Sequence, residues 1–191
     1  LHTQYNQEIG QTMLFLETAI HNVYIIEPER IEDNRGYFAI LWNRHALHHQ
    51  GLDSTFYQAN LSVNHHKGTL RGMHFQHAPH EQAKLIWCLR GAIYDVLIDI
   101  RPDSPTYGRW AGFEITADSA RILYVPRGMA HGFQTLDDDT AIVYHVAQDY
   151  APHAEGGIRY DDPAFNIHWP LPISEISDKD RRWPDFSLAK T

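Results

Sequence analysis

Cysteine is nearly missing from this sequence: Cys88 is the single thiol in 191 residues, which excludes an intrachain disulfide framework and any cysteine-based zinc knuckle. A chain of this length hides roughly 70% of the surface of its unfolded form, so a core forms without covalent staples. The cysteine usage fits a reducing compartment, and the expected location is the cytoplasm. Basic residues are also in deficit, 16 Lys+Arg against 24 Asp+Glu, with no run of like cations. Nucleic-acid binding needs a basic stripe that releases phosphate counterions, and that partner class is excluded. Long apolar runs are absent too; charge interrupts every one well short of the roughly 20 residues that cross a bilayer, so no membrane partner is expected. The opening LHTQYNQEIGQT lacks the basic and apolar regions of a signal peptide. It is expected to be a poorly ordered arm over residues 1–13, followed by one domain over 14–191.

What the sequence does have is turn punctuation at short intervals, in Asp33-Asn34-Arg35-Gly36, Lys67-Gly68, Arg90-Gly91, Asp103-Ser104-Pro105, Arg127-Gly128, Asp137-Asp138-Asp139 and Glu155-Gly156-Gly157. The runs between them are rich in β-branched and aromatic residues. Strands are expected at 23–26, 57–63, 84–90, 92–101, 110–116, 121–125 and 140–147, which makes the chain all-β. In the run from Ala92, Tyr94, Val96, Ile98 and Ile100 share one apolar face, and Asp95 and Asp99 share the other with Ile93 and Leu97. A strand buried on one side and partly polar on the other suits a jelly-roll or small barrel whose interior holds a ligand. Helix is expected only over 44–50 and 177–182, the second capped by Ser177.

Fourteen histidines are many for this length. His45, His48, His49, His65, His66, His77, His80 and His153 fall in polar or turn-like segments and read as solvated loop residues. His74 and His131 differ, each lying where a strand meets a glycine-rich turn, in GTLRGMHFQ and VPRGMAHGF, a place that directs a side chain into a barrel mouth. These two segments resemble the paired motifs of cupins, with Gln76 standing where metal cupins place a second histidine. His74, His131 and Glu81 remain a conceivable metal set, although an amide oxygen substitutes poorly for imidazole.

Extended, the same segments resemble the dTDP-4-dehydrorhamnose 3,5-epimerase family. The matching stretches are DNRGYF from Asp33, QANLS from Gln58, LRGMHFQ, QAKL from Gln82, DVLIDIRPDSPTYG, VPRGMAHGF, the Tyr144 strand, YAPHAEGGI, Trp169-Pro170 and SDKD from Ser177, in family order across nearly all of residues 14–185. The resemblance implies a cupin jelly-roll barrel with short flanking helices. It also implies a homodimer that inverts C3, C5 or both of a nucleotide-linked 4-keto-6-deoxyhexose without metal or other cofactor. The alternatives are a metal-dependent cupin oxygenase or isomerase and a non-catalytic sugar-binding cupin.

By the same resemblance His74 is the base, Asp180 the carboxylate that fixes its tautomer, Lys84 the cation facing the developing C4 oxyanion, and Tyr144 the proton donor on the opposite face. A ketone acidifies the neighbouring C–H bonds, so a base, an acid and an enolate partner are what the chemistry requires. Arg35 and Arg71 match residues that grip the diphosphate, and Gln58, Asn60, His131, Tyr150, Glu155 and Lys179 match further substrate-binding positions. Without the resemblance, Asp180 and Lys84 read as solvated surface charges and Tyr144 as core packing. Ile31 and Ile40 depart from the family, which commonly has Phe and Glu there. Base recognition is therefore expected to be weakened or shifted.

Overall fold

The computed structural model describes residues 13–187. The arm expected over residues 1–13 lies outside them, save for Met13, which opens the first strand. Fourteen strands are present: β1 (Met13–Glu17), β2 (Tyr24–Pro28), β3 (Ile31–Asp33), β4 (Gly36–Phe38), β5 (Gln58–Asn64), β6 (Thr69–Gln76), β7 (Lys84–Arg90), β8 (Ala92–Asp99), β9 (Trp110–Thr116), β10 (Ile122–Val125), β11 (Met129–Thr135), β12 (Thr140–Val146), β13 (Glu155–Gly157) and β14 (Glu175–Ile176). Two short helices accompany them, α1 (Arg44–His49) and α2 (Asp178–Arg181). Both fall where the sequence placed helix. Asn43 caps α1 through its side chain, and Ser177 caps α2 by accepting from the Asp180 N–H.

The strands form two sheets packed face to face, in the orders β1-β2-β10-β7-β12-β5 and β13-β6-β11-β8-β9, with β14 added in parallel to β6. This is a jelly-roll. Its interior is filled by Ile86, Cys88 and Ile142 from the first sheet and Ile93, Leu97, Ile115, Met129 and Phe133 from the second. Both outer faces are covered as well. Trp87, Leu85 and Tyr124 pack under α1 and its flanking aromatics Trp42 and Phe56. Met73, Val96 and Ile98 pack under Ile158, Phe165 and Ile167 of the C-terminal segment. Side chains so placed each contribute about 1.5–3 kcal/mol, enough to hold that segment on the sheet.

Two expectations need correction. The strand β8 is not half polar and half buried, because both its faces are covered and Asp95 and Asp99 are fully buried. The segments around His74 and His131 are not strand-to-turn junctions but continuous strands, β6 and β11. Their glycines serve close approach: a methyl group on Gly72 would lie 2.4 Å from Gly132 Cα, and one on Gly132 would lie 2.7 Å from the Arg71 carbonyl. The segment from Ile31 belongs to neither main sheet. It forms a separate two-stranded hairpin, β3–β4, whose Ile31, Tyr37 and Phe38 are exposed.

Candidate active site

The site forms where the two sheets open from one another. His74 on β6 lies directly opposite His131 on β11, and residues so paired share a face of the sheet. On the other sheet Tyr144 of β12 is paired with Ile86 of β7 on one side and Asn60 of β5 on the other. The pleat that sends Ile86 and Ile142 into the core therefore also sends Tyr144, Asn60 and Lys84 inward. A cleft of about 210 Å³ is lined by His74, Gln82, Lys84, Tyr144, Tyr150 and Glu155, among others. A second cleft, of about 480 Å³, adjoins it at His74 and carries Arg71, Lys179 and Asp180.

Two imidazole–carboxylate pairs stand side by side. His74 Nε2 is 2.7 Å from Asp180 Oδ1, and the second carboxylate oxygen accepts the Gly72 N–H at 3.2 Å. The His74 side chain is 38% exposed while Asp180 is 5% exposed. Burial works to raise the Asp180 carboxyl, but the hydrogen bonds from His74 and Gly72 outweigh it and hold the group below the ordinary carboxylate range. With Nε2–H donated to Asp180, the neutral ring presents Nδ1 as its free acceptor.

The second pair is dry. His131 Nε2 lies 2.9 Å from Asp95 Oδ2 and its Nδ1 lies 3.4 Å from Lys84 Nζ, with His131 9% exposed and Asp95 fully buried. The hydrogen-bond network assigns Nε2–H as donor to Asp95 and Nδ1 as acceptor from the Lys84 ammonium. Burial lowers the His131 imidazole below the usual histidine value, and Lys84 adds to this against the pull of Asp95. Burial likewise pushes the Lys84 ammonium down to about 8, with Asp95 opposing. Lys84 is thus not a strand-end lysine in water. Burial also raises the Tyr144 phenol above its ordinary value, with Arg71 pulling back.

The remaining candidates divide. Glu155 accepts hydrogen bonds from Tyr150, at 3.2 Å, and from Lys179, so these three form one wall between the clefts. Arg71 holds Asn64 at 2.7 Å through Nε while its side chain stays exposed. Gln58 and Asn60 bond each other along the edge strand β5. Arg35 is not brought to the cleft: it sits at the tip of the β3–β4 hairpin, exposed, and among the described residues its side chain bonds only Asp33.

Of the conceivable metal set, His131 has both nitrogens engaged, Glu81 does not line the cleft, and no cluster of three potential ligands exists among the described residues. Gln76 has a different task. Its amide donates to the carbonyls of His80 and Asp149 and accepts the Ala151 N–H, tying two rim loops together. His80 and His153 on those loops meet at 3.3 Å. Sequence reasoning missed Asp95 as a site residue. Its signal was a carboxylate in register with Ile93 and Leu97 on an inward face.

Comparison with known proteins bears on this arrangement. The family model described as dTDP-4-dehydrorhamnose 3,5-epimerase matches residues 17–187. A curated relative of that name from Sinorhizobium fredii is 40% identical over 175 residues, covering 91% of this chain and 90% of the relative. The crystal structure of the enzyme of that name from Elizabethkingia anophelis superposes with a TM-score of 0.88 at 38% identity, over 91% of this chain and 96% of the other. That from Bacillus anthracis, with TDP and pyrophosphate bound, superposes at 0.86 and 41% identity, over 91% and 99%.

Proposed function

The chain belongs to the dTDP-4-dehydrorhamnose 3,5-epimerase family, and from that premise we propose how the residues of its cleft divide the reaction. The enzyme inverts C3, C5 or both of a nucleotide-linked 4-keto-6-deoxyhexose. His74 Nδ1 removes the proton from the carbon beside the C4 ketone; the C–H electron pair enters the C–C bond and the carbonyl π pair moves onto oxygen. Asp180, on the far side of the ring, stabilises the imidazolium that results. The Lys84 ammonium faces the enolate oxygen, and the low polarity that lowers its pKa also strengthens its interaction with the new charge. Tyr144 then gives its phenolic proton to the carbon as the enolate oxygen re-forms the ketone, and the cycle closes when Tyr144 regains a proton from solvent and the His74 imidazolium releases its own to solvent.

The observation that carries this reading is the placement of base and acid on opposite sheets: His74 rises from β6 and Tyr144 from β12, across one cleft. A sugar held between them offers one ring face to each. Arg71 and Lys179, in the adjoining cleft, take the diphosphate, a task suited to a guanidinium fork. Gln58, Asn60, Tyr150 and Glu155 bind the sugar, while His131, with both nitrogens engaged, holds Lys84.

The hairpin is assigned to a second subunit. Arg35 does not line the cleft of its own chain, and the exposed Ile31, Tyr37 and Phe38 beside it offer an apolar contact face. In a homodimer the hairpin crosses to the partner and brings Arg35 to its phosphate site. Ile31 and Ile40 supply only apolar contact to the base, so a thymidine carrier is expected to be preferred over cytidine by less than about 10²-fold. The cytoplasm, where nucleotide sugars are made, is the proposed location, and no metal takes part.

The test is incubation with dTDP-4-keto-6-deoxyglucose in deuterium oxide, with label located at C3 and C5 by NMR. Binding without label at either carbon would overturn the catalytic reading in favour of a sugar-binding protein. Chelator-treated enzyme is expected to keep its rate; loss restored by one divalent ion would overturn the metal-free mechanism.

A further inference from the structure

The mechanism above uses Asp180 without explaining how a carboxylate on a four-residue helix near the end of the chain is held against a strand of the barrel. The helix α2 has little to anchor it by itself, since one turn of helix is not stable alone. Beyond the β14–β6 pairing that precedes it and the bonds of Asp180 to β6, its attachments lie on β13. Lys179 pairs with Glu155 at one end of that strand and lies 5.7 Å from the Trp183 ring centroid. At the other end Trp183 rests on Gly157, the residue opposite His74 in the β6–β13 register. The fit leaves no room: a methyl group on Gly157 would lie 2.1 Å from Trp183 Cε2 and 2.3 Å from Nε1. The Trp183 carbonyl accepts from Arg159 at 3.4 Å, and Arg159 also pairs with Asp185 at 2.7 Å. Gly157 has no left-handed backbone, so its lack of a side chain answers to the tryptophan rather than to a turn.

We infer that Gly157 and Trp183 are positioning residues for the reaction: the bare face of Gly157 seats the Trp183 ring, and that seat sets the depth of α2 at which Asp180 meets His74 Nε2. The inference rests on the dyad reading of His74 and Asp180 and extends it to Trp183 and to Gly157, the strand partner of His74.

The test is a double-mutant cycle on deuterium exchange with Asp180→Asn. Gly157→Ala is expected to cost about 10²-fold in kcat, the scale of an ångström-sized misplacement, with a smaller rise in KM because Lys179 travels on the same helix. In the Asp180→Asn background the same substitution is expected to cost almost nothing, because the contact it disturbs is already gone. In protein labelled with ¹⁵N-histidine, the His74 Nε2–H resonance is expected to broaden into exchange with water in Gly157→Ala as in Asp180→Asn. Trp183→Leu, which removes the seated ring without crowding the strand, gives the same pattern with a smaller loss and serves if Gly157→Ala does not fold. Wild-type rates in Trp183→Leu, or costs that add in full to that of Asp180→Asn, would overturn the inference. Wild-type exchange in Asp180→Asn itself would instead overturn the dyad on which it rests.

Discussion

His74 with Asp180 and His131 with Asp95 are one chemical pair built twice on adjacent strands, and almost everything around them differs. The carboxylate of the first comes from a C-terminal helix laid over the cleft, and that of the second from the neighbouring strand β8. The first imidazole is more than a third exposed and keeps a free nitrogen; the second is buried and has both nitrogens engaged. A proton carrier needs an open acceptor and somewhere to hand its proton, which only the first possesses. The second makes a better fixed dipole. Held neutral between an ammonium and a carboxylate, His131 orients Lys84 and adds no charge of its own. Residue type thus decides less than access to water and the order of neighbours.

The contrast breaks most severely at the open pair. His74→Asn removes the proposed base and is expected to lower turnover by about 10²–10⁴-fold, the range for loss of a general base. In the dry pair the residue that matters most is Lys84. Lys84→Met is expected to cost about 10²–10³-fold in kcat, as for loss of an oxyanion donor, with nucleotide binding retained. Equal binding and equal turnover in that variant would move the oxyanion contact elsewhere. Tyr144→Phe sharpens the comparison from the facing sheet: inversion stops or is diverted, while exchange driven by His74 persists because same-face return needs no second acid. Turnover at the wild-type rate would point to another donor.

The role of Arg35 is testable by mixing. Arg35→Ala and His74→Asn subunits, each weak alone, are expected to regain activity as hybrid dimers, because one site then holds an intact His74 and receives Arg35 from its partner. No recovery would return Arg35 to its own chain or remove it from catalysis.

The smallest effect is on stability, and there the two pairs separate by pH. Both His131 and Asp180 are depressed in the folded protein, so the unfolded state binds more protons and stability rises with pH in each window. For His131 the contribution is complete above the unfolded histidine value of about 6.5 and is lost as pH falls through the folded value. For Asp180 it is complete above about 3.9 and lost below. Denaturant melts against pH are expected to slope in both windows. His131→Asn should flatten the upper one and Asp180→Asn the lower, and an unchanged slope in either would contradict the corresponding assignment.

Much of the architecture was legible in the sequence because it rests on local signals. Turn residues and apolar alternation located β7 and β9 to the residue and five further strands to within a few residues, and the Asn43 and Ser177 caps start the two helices. The strands β6 and β11 misled because Gly72 and Gly132 have the look of turn punctuation, whereas they let two backbones approach within a strand pair. The site was less legible for a physical reason. Lys84 and Asp180 are charged residues whose burial is imposed by elements far away in sequence, so nothing local separates them from solvated charges; only the ordered motif match did so. Asp95 had neither a motif role nor an obvious partner, and its pairing with His131 becomes visible only once β8 and β11 are side by side. Arg35 matched a motif, yet it sits on an exposed hairpin and does not line the cleft of its own chain.

The account turns on one claim, that the water-accessible imidazole moves the proton and the buried one does not. Deuterium wash-in at C3 and C5, followed by NMR on the same substrate with His74→Asn and His131→Asn side by side, tests it most directly. The account requires no label at either carbon with His74→Asn, and label at both positions that the wild type exchanges, at a reduced rate, with His131→Asn. Label persisting in the first variant and vanishing in the second would contradict it.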